Sequence, residues 1–110
     1  MATTDLFTSH QPVVSFVVPT LNRGKYVLRA VRSCLKNDDE NVCIEVVVID
    51  SSSNDGLFEE LQREFSDDNR VKLLQNPRGS GPIKSWLEGV ESISGDYFTF
   101  VWSVFHKLLY

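Results

Sequence analysis

The 110-residue sequence predicts an α/β fold, with a mainly parallel, Rossmann-like sheet and helices on both of its faces. Short runs of apolar, often β-branched residues alternate along the chain with longer segments whose apolar residues recur every three or four positions. The short runs are apolar at almost every position, which is typical of strands buried on both faces of a parallel sheet. The predicted order of elements is therefore βαβαβαβ, joined by right-handed crossovers.

The first half of the chain contains two predicted strands and the helix between them. Residues 13–18 form a continuous apolar run, and Pro19 is expected to end this strand. Apolar residues at helical spacing predict a helix over 24–35, with basic side chains on its opposite side. Residues 43–50 are again apolar almost throughout, and they predict a second buried strand.

The second half supplies two helices and two further strands. A polar turn over 51–55 is able to cap the following helix, and Glu59 and Glu60 lie near the positive end of that helix. Gly95 is expected to stop the last helix. The predicted elements are a helix at 57–65, a strand at 71–75, a helix at 83–93 and a strand at 97–102. The expected strand order across the sheet is 3-2-1-4.

Composition and charge exclude several classes of protein. The net charge of -4 and the pI of about 5.0 argue against a nucleic-acid-binding protein, which usually carries a basic patch. Hydrophobic residues make up 42% of the chain and charged residues 24%, a balance that excludes intrinsic disorder. No apolar run approaches the length of about 18 residues that a transmembrane helix needs. Residues 1–11 form a polar leader without the apolar segment of a signal peptide, so we expect a cytoplasmic location.

The two cysteines do not predict a metal site. Cys34 and Cys43 have no further cysteine or histidine nearby to complete the four ligands of structural zinc. A disulfide between them is left open by the sequence, but two buried, reduced thiols are expected.

Ligands of such folds bind at the carboxyl ends of the strands, which selects residues 19–23, residues 50–55 and the segment from Trp102 onward. A dinucleotide would need a glycine-rich turn after the first strand, and residues 19–24 contain a single glycine. The G-x-G sequence at 79–81 lies in another loop and is better explained as a connector, and there is no Walker A motif. The first strand also ends without the acids of a phosphoacceptor domain.

The remaining features form a recognisable set. The segments VVSFVVPTLNRGKYVLRAVRSCL, IEVVVIDSSSNDG, RVKLLQN, GPIKSWLEGV and SGDYFTFVW resemble the N-terminal half of family 2 glycosyltransferases of the GT-A fold. The V-P-T-x-N-R and V-I-D-x-x-S-x-D-G elements, at this separation, are the most specific. The resemblance covers residues 12–103 and implies an incomplete nucleotide-diphospho-sugar transferase domain, followed by an apolar tail at 104–110.

In that family the first two strand-end loops hold the nucleotide of a sugar-nucleotide donor. The resemblance implies that the base and ribose would be lined by Pro19, Thr20, Leu21 and Asn22. Asp50 matches the first acid of the family's usual Asp-Asp pair. The alternative is a purely structural role, in which Asp50 orders the following turn and binds no ligand. The second acid, which reads the base, is replaced by Ser51, and a hydroxyl accepts hydrogen bonds less strongly than a carboxylate.

Other polar and aromatic residues near these loops have competing interpretations. Lys84 could neutralise a diphosphate, or it could be a solvated lysine on the polar side of a helix. Ser53 and Asp55 are expected to be capping groups rather than ligands. Trp86 falls on an apolar stripe, so a core position is expected rather than a stacking platform.

The fourth strand departs from the family pattern. Members of the family end this strand with D-x-D or a close variant, whose acids hold Mn or Mg on the donor diphosphate. Here the matching residues are Trp102-Ser103-Val104, and no carboxylate follows Asp96. Valine cannot ligate a hard cation, and His106 is expected to be a surface or tail histidine. The resemblance therefore assigns no metal ligand and no catalytic residue to this sequence.

The family's acceptor site and catalytic base lie in a second half that these 110 residues do not supply. We therefore expect a glycosyltransferase by descent that is inactive as this chain alone, with weak or lost binding of the nucleotide-diphosphate sugar. The alternative is a non-catalytic domain that binds a nucleotide or another protein. The apolar tail at 104–110 is expected either to fold back onto the sheet as a helix or to promote self-association, and self-association is the favoured outcome.

Overall fold

The computed structural model describes residues 11–21, 24–38, 40–51, 54–77 and 81–101. Strands and helices alternate along these residues, as the sequence predicts. The strands are β1 (Val13–Thr20), β2 (Cys43–Asp50), β3 (Val71–Gln75) and β4 (Tyr97–Phe100), and the helices are α1 (Gly24–Leu35), α2 (Leu57–Phe65) and α3 (Pro82–Glu91).

The four strands form one sheet in the order β3-β2-β1-β4, and every pair of neighbours is parallel. The predicted α/β fold and strand order are therefore confirmed. The pairing places Thr20 opposite Asp50, and Asp50 opposite Gln75. The carboxyl ends of β1, β2 and β3 thus lie side by side, and we call this side of the sheet the strand-end edge.

The alternation of side chains along the strands divides the core into two layers. Even-numbered residues such as Val18, Val46 and Val48 pack in one cluster with residues of α1 and α2. Odd-numbered Val17 and Ile49 form the second cluster on the other face, where α3 packs. Both faces of β2 are covered, which explains why its sequence is apolar almost throughout.

The predicted boundaries are wrong at two places. β1 does not end before Pro19 but continues through it to Thr20. Pro19 has no N–H to donate, and this is tolerated because, among the described residues, β4 pairs with β1 only from Val14 to Val17, short of the proline. The last helix spans Pro82–Glu91 rather than 83–93, because Pro82 fits the first turn of a helix, where its missing N–H is not needed.

The fourth strand is shorter and more exposed than its sequence suggests. It ends at Phe100, and the predicted extension to Trp102 lies outside the described residues. Tyr97 is 65% exposed and Phe98 is 46% exposed. Within the described part of the chain, β4 pairs only with β1, so its other edge has no neighbouring strand.

Both cysteines are free thiols, as expected, but the expected burial is wrong for Cys43, which is only partly buried. Cys34 is buried, and this burial raises its pKa to about 11. The Cys43 sulfur lies 3.0 Å from the side-chain oxygen of Gln11. None of the described helices has the length and apolar character needed to cross a membrane.

A buried polar cluster joins the sheet to the turn before β4, and no local sequence pattern predicts it. The Ser15 hydroxyl and the Ser94 backbone N–H each donate to Glu45 Oε1 at 2.7 Å, and Lys72 Nζ lies 2.9 Å from Glu45 Oε2. Gly95 donates its N–H to the Ser15 hydroxyl at 3.1 Å. Burial by itself raises the pKa of Glu45, but the bonds from Ser94, Lys72 and Ser15 outweigh burial and lower it.

The depressed pKa of Glu45 predicts acid sensitivity. A carboxyl whose pKa is lower in the folded chain contributes stability above its unfolded pKa, and loses it as pH falls through the folded pKa. We expect the free energy of unfolding to fall as the pH drops below about 4.3, the usual glutamate range. The fall should be shallower in Glu45→Gln, as measured by urea unfolding across a pH series. The exposed control Glu91→Gln should keep the slope of the unmodified chain.

The close approach of α3 to the sheet depends on Gly89. A Cβ at this position would lie 2.6 Å from Ile49 Cδ1 and would also collide with Val17 Cγ1. Real Cβ atoms do not approach that closely, so only glycine fits without displacing the helix.

Gly89→Ala should therefore destabilise the chain although alanine favours helices. Overpacking of this kind costs about 1–3 kcal/mol, against about 1 kcal/mol or less gained in helix propensity. We expect a net loss in the free energy of unfolding, measured with chemical denaturant. Glu91→Ala on the same helix should change stability by less than about 0.5 kcal/mol. A Gly89→Ala chain more stable than the unmodified one would contradict the packing described here.

Candidate functional site

The carboxyl ends of β1, β2 and β3 and the first turns of α3 meet at one edge of the sheet. This is the edge at which ligands bind in parallel α/β folds. The structure brings together three of the residues that the sequence analysis selected, Thr20, Asp50 and Ser51. Gln75 and Ser85, which the sequence analysis did not select, lie beside them.

Thr20 and Asp50 are neighbours in register and lie at the ends of their strands. Thr20 is only 6% exposed, and its Oγ1 has no hydrogen-bond partner among the described residues. A buried hydroxyl without a partner costs about 1–3 kcal/mol. Such a group is a natural site for a hydrogen bond from a bound molecule.

Asp50 is fully buried and is tied to the neighbouring strand. Its Oδ2 accepts a hydrogen bond of 3.3 Å from Gln75 Nε2, and its carbonyl oxygen accepts one of 2.8 Å from the Asn76 N–H. Both bonds hold the end of β3 against the end of β2. The alternative interpretation of Asp50, as a residue that orders the strand end, therefore has direct geometric support.

Ser51 is fixed by its backbone and by its side chain. Its N–H donates to the Thr20 carbonyl at 2.9 Å, which joins the ends of β1 and β2. Its half-buried hydroxyl lies 2.9 Å from the hydroxyl of Ser85. Ser85 is almost completely buried, and its hydroxyl lies 3.1 Å from the side-chain amide of Asn76.

Asn76 and Ser85 are not predicted as site residues from the sequence, because nothing in the local pattern marks them. Asn76 directly follows the predicted strand at 71–75, and Ser85 lies between the apolar positions of a helix. Their burial is the signal, and it depends on how α3 lies on the sheet.

The remaining predicted site residues are placed around this edge. Pro19 is half-buried in β1, and Leu21 is 48% exposed just beyond it. Lys84 is exposed on α3, one residue before Ser85. Asn22 lies outside the described residues, so its predicted place in the site stays a prediction.

Asp55 acts as the predicted capping group, whereas Trp86 is only partly buried rather than in the core. Asp55 Oδ1 accepts a hydrogen bond of 3.1 Å from the first helical N–H of α2, that of Leu57. Trp86 is half-buried, and its ring centroid lies 6.3 Å from that of Phe100. Ser53 lies outside the described residues.

The described residues do not fit the divalent cation that the family resemblance implies. No group of three or more histidine, cysteine or acidic side chains in this part of the chain could hold a metal ion. Asp50, the acid at the strand-end edge, is turned to Gln75. The predicted counterpart of D-x-D, at 102–104, lies outside the described residues, as do both histidines.

Comparison with known proteins matches the chain to the family model described as "Glycosyl transferase family 2" over residues 15–101. An uncharacterised glycosyltransferase of Haemophilus influenzae is 34% identical over 92 residues, which cover 84% of this chain and 36% of that protein. The glycosyltransferase GlyG of Streptococcus pneumoniae is 33% identical over 89 residues, covering 81% of this chain and 29% of GlyG. The chain thus spans about a third of the length of these relatives.

Solved structures agree with the sequence relatives. TarS of S. aureus, in a fragment of residues 1–349, has a TM-score of 0.68 and 29% identity, covering 82% of this chain and 27% of that chain. The mannosyltransferase PcManGT of Pyrobaculum calidifontis, solved with GDP-Man and Mn2+, has a TM-score of 0.70. The match covers 86% of this chain and 28% of that chain. At 20% identity the second likeness shows the fold alone. Because the family model matches most of its residues, this chain belongs to glycosyl transferase family 2.

Proposed function

We propose that residues 12–103 form the donor-nucleotide half of an enzyme that transfers a sugar from a nucleotide diphosphate to an acceptor. Relatives of this chain include a β-1,3-glucosyltransferase of Campylobacter jejuni, and TarS has been solved with UDP-GlcNAc. The part of the chain described here would bind the nucleotide. Transfer would also need acceptor and catalytic groups, which the described residues do not offer.

The unpartnered Thr20 hydroxyl is the observation that carries the proposal. It lies buried at the strand-end edge, beside Asp50 in register, with Ser51 next in the chain. A nucleotide entering this edge would supply the missing hydrogen bond, and Pro19, Leu21 and Asn22 would line the base and ribose. Lys84, exposed near the start of α3, would face the diphosphate.

A divalent cation would stabilise the charge of the leaving nucleoside diphosphate in the family reaction. The described residues do not supply the oxygen ligands for such an ion. We therefore assign no metal-dependent step to this chain, and we expect nucleotide binding that is weak and independent of metal.

Thr20→Val should weaken nucleotide binding and leave the fold at least as stable. Valine has nearly the shape of threonine but no hydroxyl, so it removes both the unsatisfied buried group and the hydrogen bond to the ligand. We expect affinity for UDP to fall about fivefold, as measured by amide chemical shifts in an NMR titration. Thr99→Val, an exposed position on β4, is the matched control and should change neither property.

The same titration tests where the nucleotide binds. UDP should shift the amides of Thr20, Leu21, Asp50 and Ser51. Shifts confined to the amino ends of the strands, around Gly95 and Asp96, would contradict the proposed site. A large increase in affinity on adding Mg²⁺ would contradict the proposed independence from metal.

Self-association is a second candidate function, and the exposure of β4 favours it. Tyr97 and Phe98 are exposed on a strand that has an open edge within the described residues. Open edges and exposed aromatic side chains promote pairing between chains. The predicted contribution of the tail at 104–110 lies outside the described residues and stays part of the proposal.

Sedimentation across a concentration series should show a monomer giving way to larger species. The double change Tyr97→Ser and Phe98→Ser should shift this transition to higher concentration, because it removes exposed apolar surface. Glu91→Gln is the control. A chain that stays monomeric at every concentration would overturn the proposed association.

We further propose that the chain works in the cytoplasm. Its two free thiols support a reducing compartment, since paired cysteines are typical of oxidising ones.

A further inference from the structure

Three side chains on the strands other than β4 hold the turn that leads into β4, and we call Ser15, Glu45 and Lys72 the Glu45 cluster. Glu45 Oε1 accepts a hydrogen bond of 2.7 Å from the Ser94 N–H, and the Ser15 hydroxyl accepts one of 3.1 Å from the Gly95 N–H. Lys72 Nζ lies 2.9 Å from Glu45 Oε2 and donates to the Ser94 hydroxyl at 2.8 Å. The cluster thus attaches two consecutive residues of the turn to β1, β2 and β3.

The cluster depends on the negative charge of Glu45. A carboxylate only accepts hydrogen bonds, and this one faces donors from Ser15, Ser94 and Lys72. A neutral amide in its place would turn an N–H toward one of these donors in either of its two orientations. Because Glu45 is only 8% exposed, water does not readily replace a lost partner. The attachment of the turn therefore requires the carboxylate.

Within the described residues, the other contacts that hold β4 are few. β4 pairs with β1 over four residues, whereas β1 and β2 pair over eight. Three of its four residues are exposed, and the fourth, Phe100, packs against the core layer beneath α3. Two further hydrogen bonds join Asp96 to Val13. Because α3 has its own contact with the sheet at Gly89, the turn and β4 can open locally while α3 stays in place.

Such an opening would uncover an edge of β1 that is suited to pairing with another chain. Residues 13–18 read VVSFVV, without a charge or a proline, and six-residue segments of this composition pair readily between chains. β4 covers this edge from Val14 to Val17. Sheets in natural proteins protect long apolar edges with charged residues or with a covering element. Here the covering element is β4.

We propose that residues 94–101, which we call the β4 unit, open from the sheet as one unit, and that the Glu45 cluster keeps this unit closed and thereby limits association through the edge of β1. This inference rests on the self-association proposed above, because it names the contact that limits such association. It adds a second strand edge, which the closed chain does not expose.

Hydrogen exchange of the folded chain, followed by NMR, tests the local opening. The Asp96 and Val101 amides donate to carbonyls of β1, both at 2.8 Å, so they report on the β4 unit. The Val46 and Ser51 amides report on the other three strands. We expect the first two amides to exchange at least tenfold faster than the last two. Their exchange should also depend less on urea, because a local opening exposes less surface than global unfolding.

Glu45→Gln should accelerate exchange of the Asp96 and Val101 amides about tenfold at neutral pH, the effect of losing a hydrogen bond to a charged group. Lys72→Met keeps the apolar stem and should act in the same direction. Since the two side chains form one pair, the double variant should accelerate exchange by less than the product of the single effects. Glu91→Gln, an exposed charge change on α3, should leave the rates unchanged. If Glu45→Gln does not fold, Lys72→Met carries the test, because its side chain is 41% exposed.

Sedimentation of the same variants tests the limit on association. Glu45→Gln should associate at a lower concentration than the unmodified chain. The difference should persist when Tyr97→Ser and Phe98→Ser are also present, because pairing through β1 does not need these side chains. Gly89→Ala is the matched control, since it lowers stability through α3 without touching the Glu45 cluster. It should not lower the concentration at which the chain associates.

The outcomes separate this inference from the self-association proposed above. Equal exchange rates and equal urea slopes at all four amides overturn the β4 unit. Unchanged exchange of Asp96 and Val101 in Glu45→Gln overturns the role of the cluster. Faster exchange without association at lower concentration overturns the limit on association. If Glu45→Gln associates while the unmodified chain stays monomeric, the present inference is supported and self-association of the unmodified chain is overturned.

Discussion

The parallel register of β1 with β2 is the constraint on which the rest of the structure depends. Eight successive residues pair, and β2 is buried on both faces from Ile44 to Asp50. A slip of one residue would turn each side chain of β2 to the opposite helix layer and would place Glu45 among the apolar side chains facing α1 and α2. The same register sets Thr20 against Asp50, so the packing of the core also determines which groups meet at the strand ends.

The elements and their order could be predicted because each depends on a local pattern. The apolar runs of β1 and β2 and the stripe of α2 are visible in consecutive residues. The polar contacts could not be predicted, because their partners are distant in sequence. Ser15 and Glu45 are 30 residues apart, and Ser51 and Ser85 are 34 apart. Their meeting depends on register and on helix placement, which hydrophobic periodicity does not specify.

The candidate site was only partly visible for a related reason. Family resemblance selected Asp50 and Ser51, and both lie at the strand-end edge. It could not reveal that Asp50 also holds β3, or that Ser51 continues into a set of buried polar side chains. That set extends to the Glu88 carboxylate, because the amide orientation that satisfies both neighbours of Asn76 donates to Glu88 and accepts from Ser85.

Gly89 affects the position of α3 beyond the residues that it contacts directly. It and Ser85 are four positions apart, so they lie on the same side of the helix about 6 Å from one another. The helix packs against Val17 and Ile49 at Gly89. This contact therefore determines how close the turn that carries Ser85 lies to the sheet. A tilt that lifted this turn by one ångström would stretch the Ser51–Ser85 contact from 2.9 Å to beyond hydrogen-bonding range. The absence of a side chain at Gly89 therefore keeps the Ser85 hydroxyl, one turn away, within hydrogen-bonding distance of Ser51.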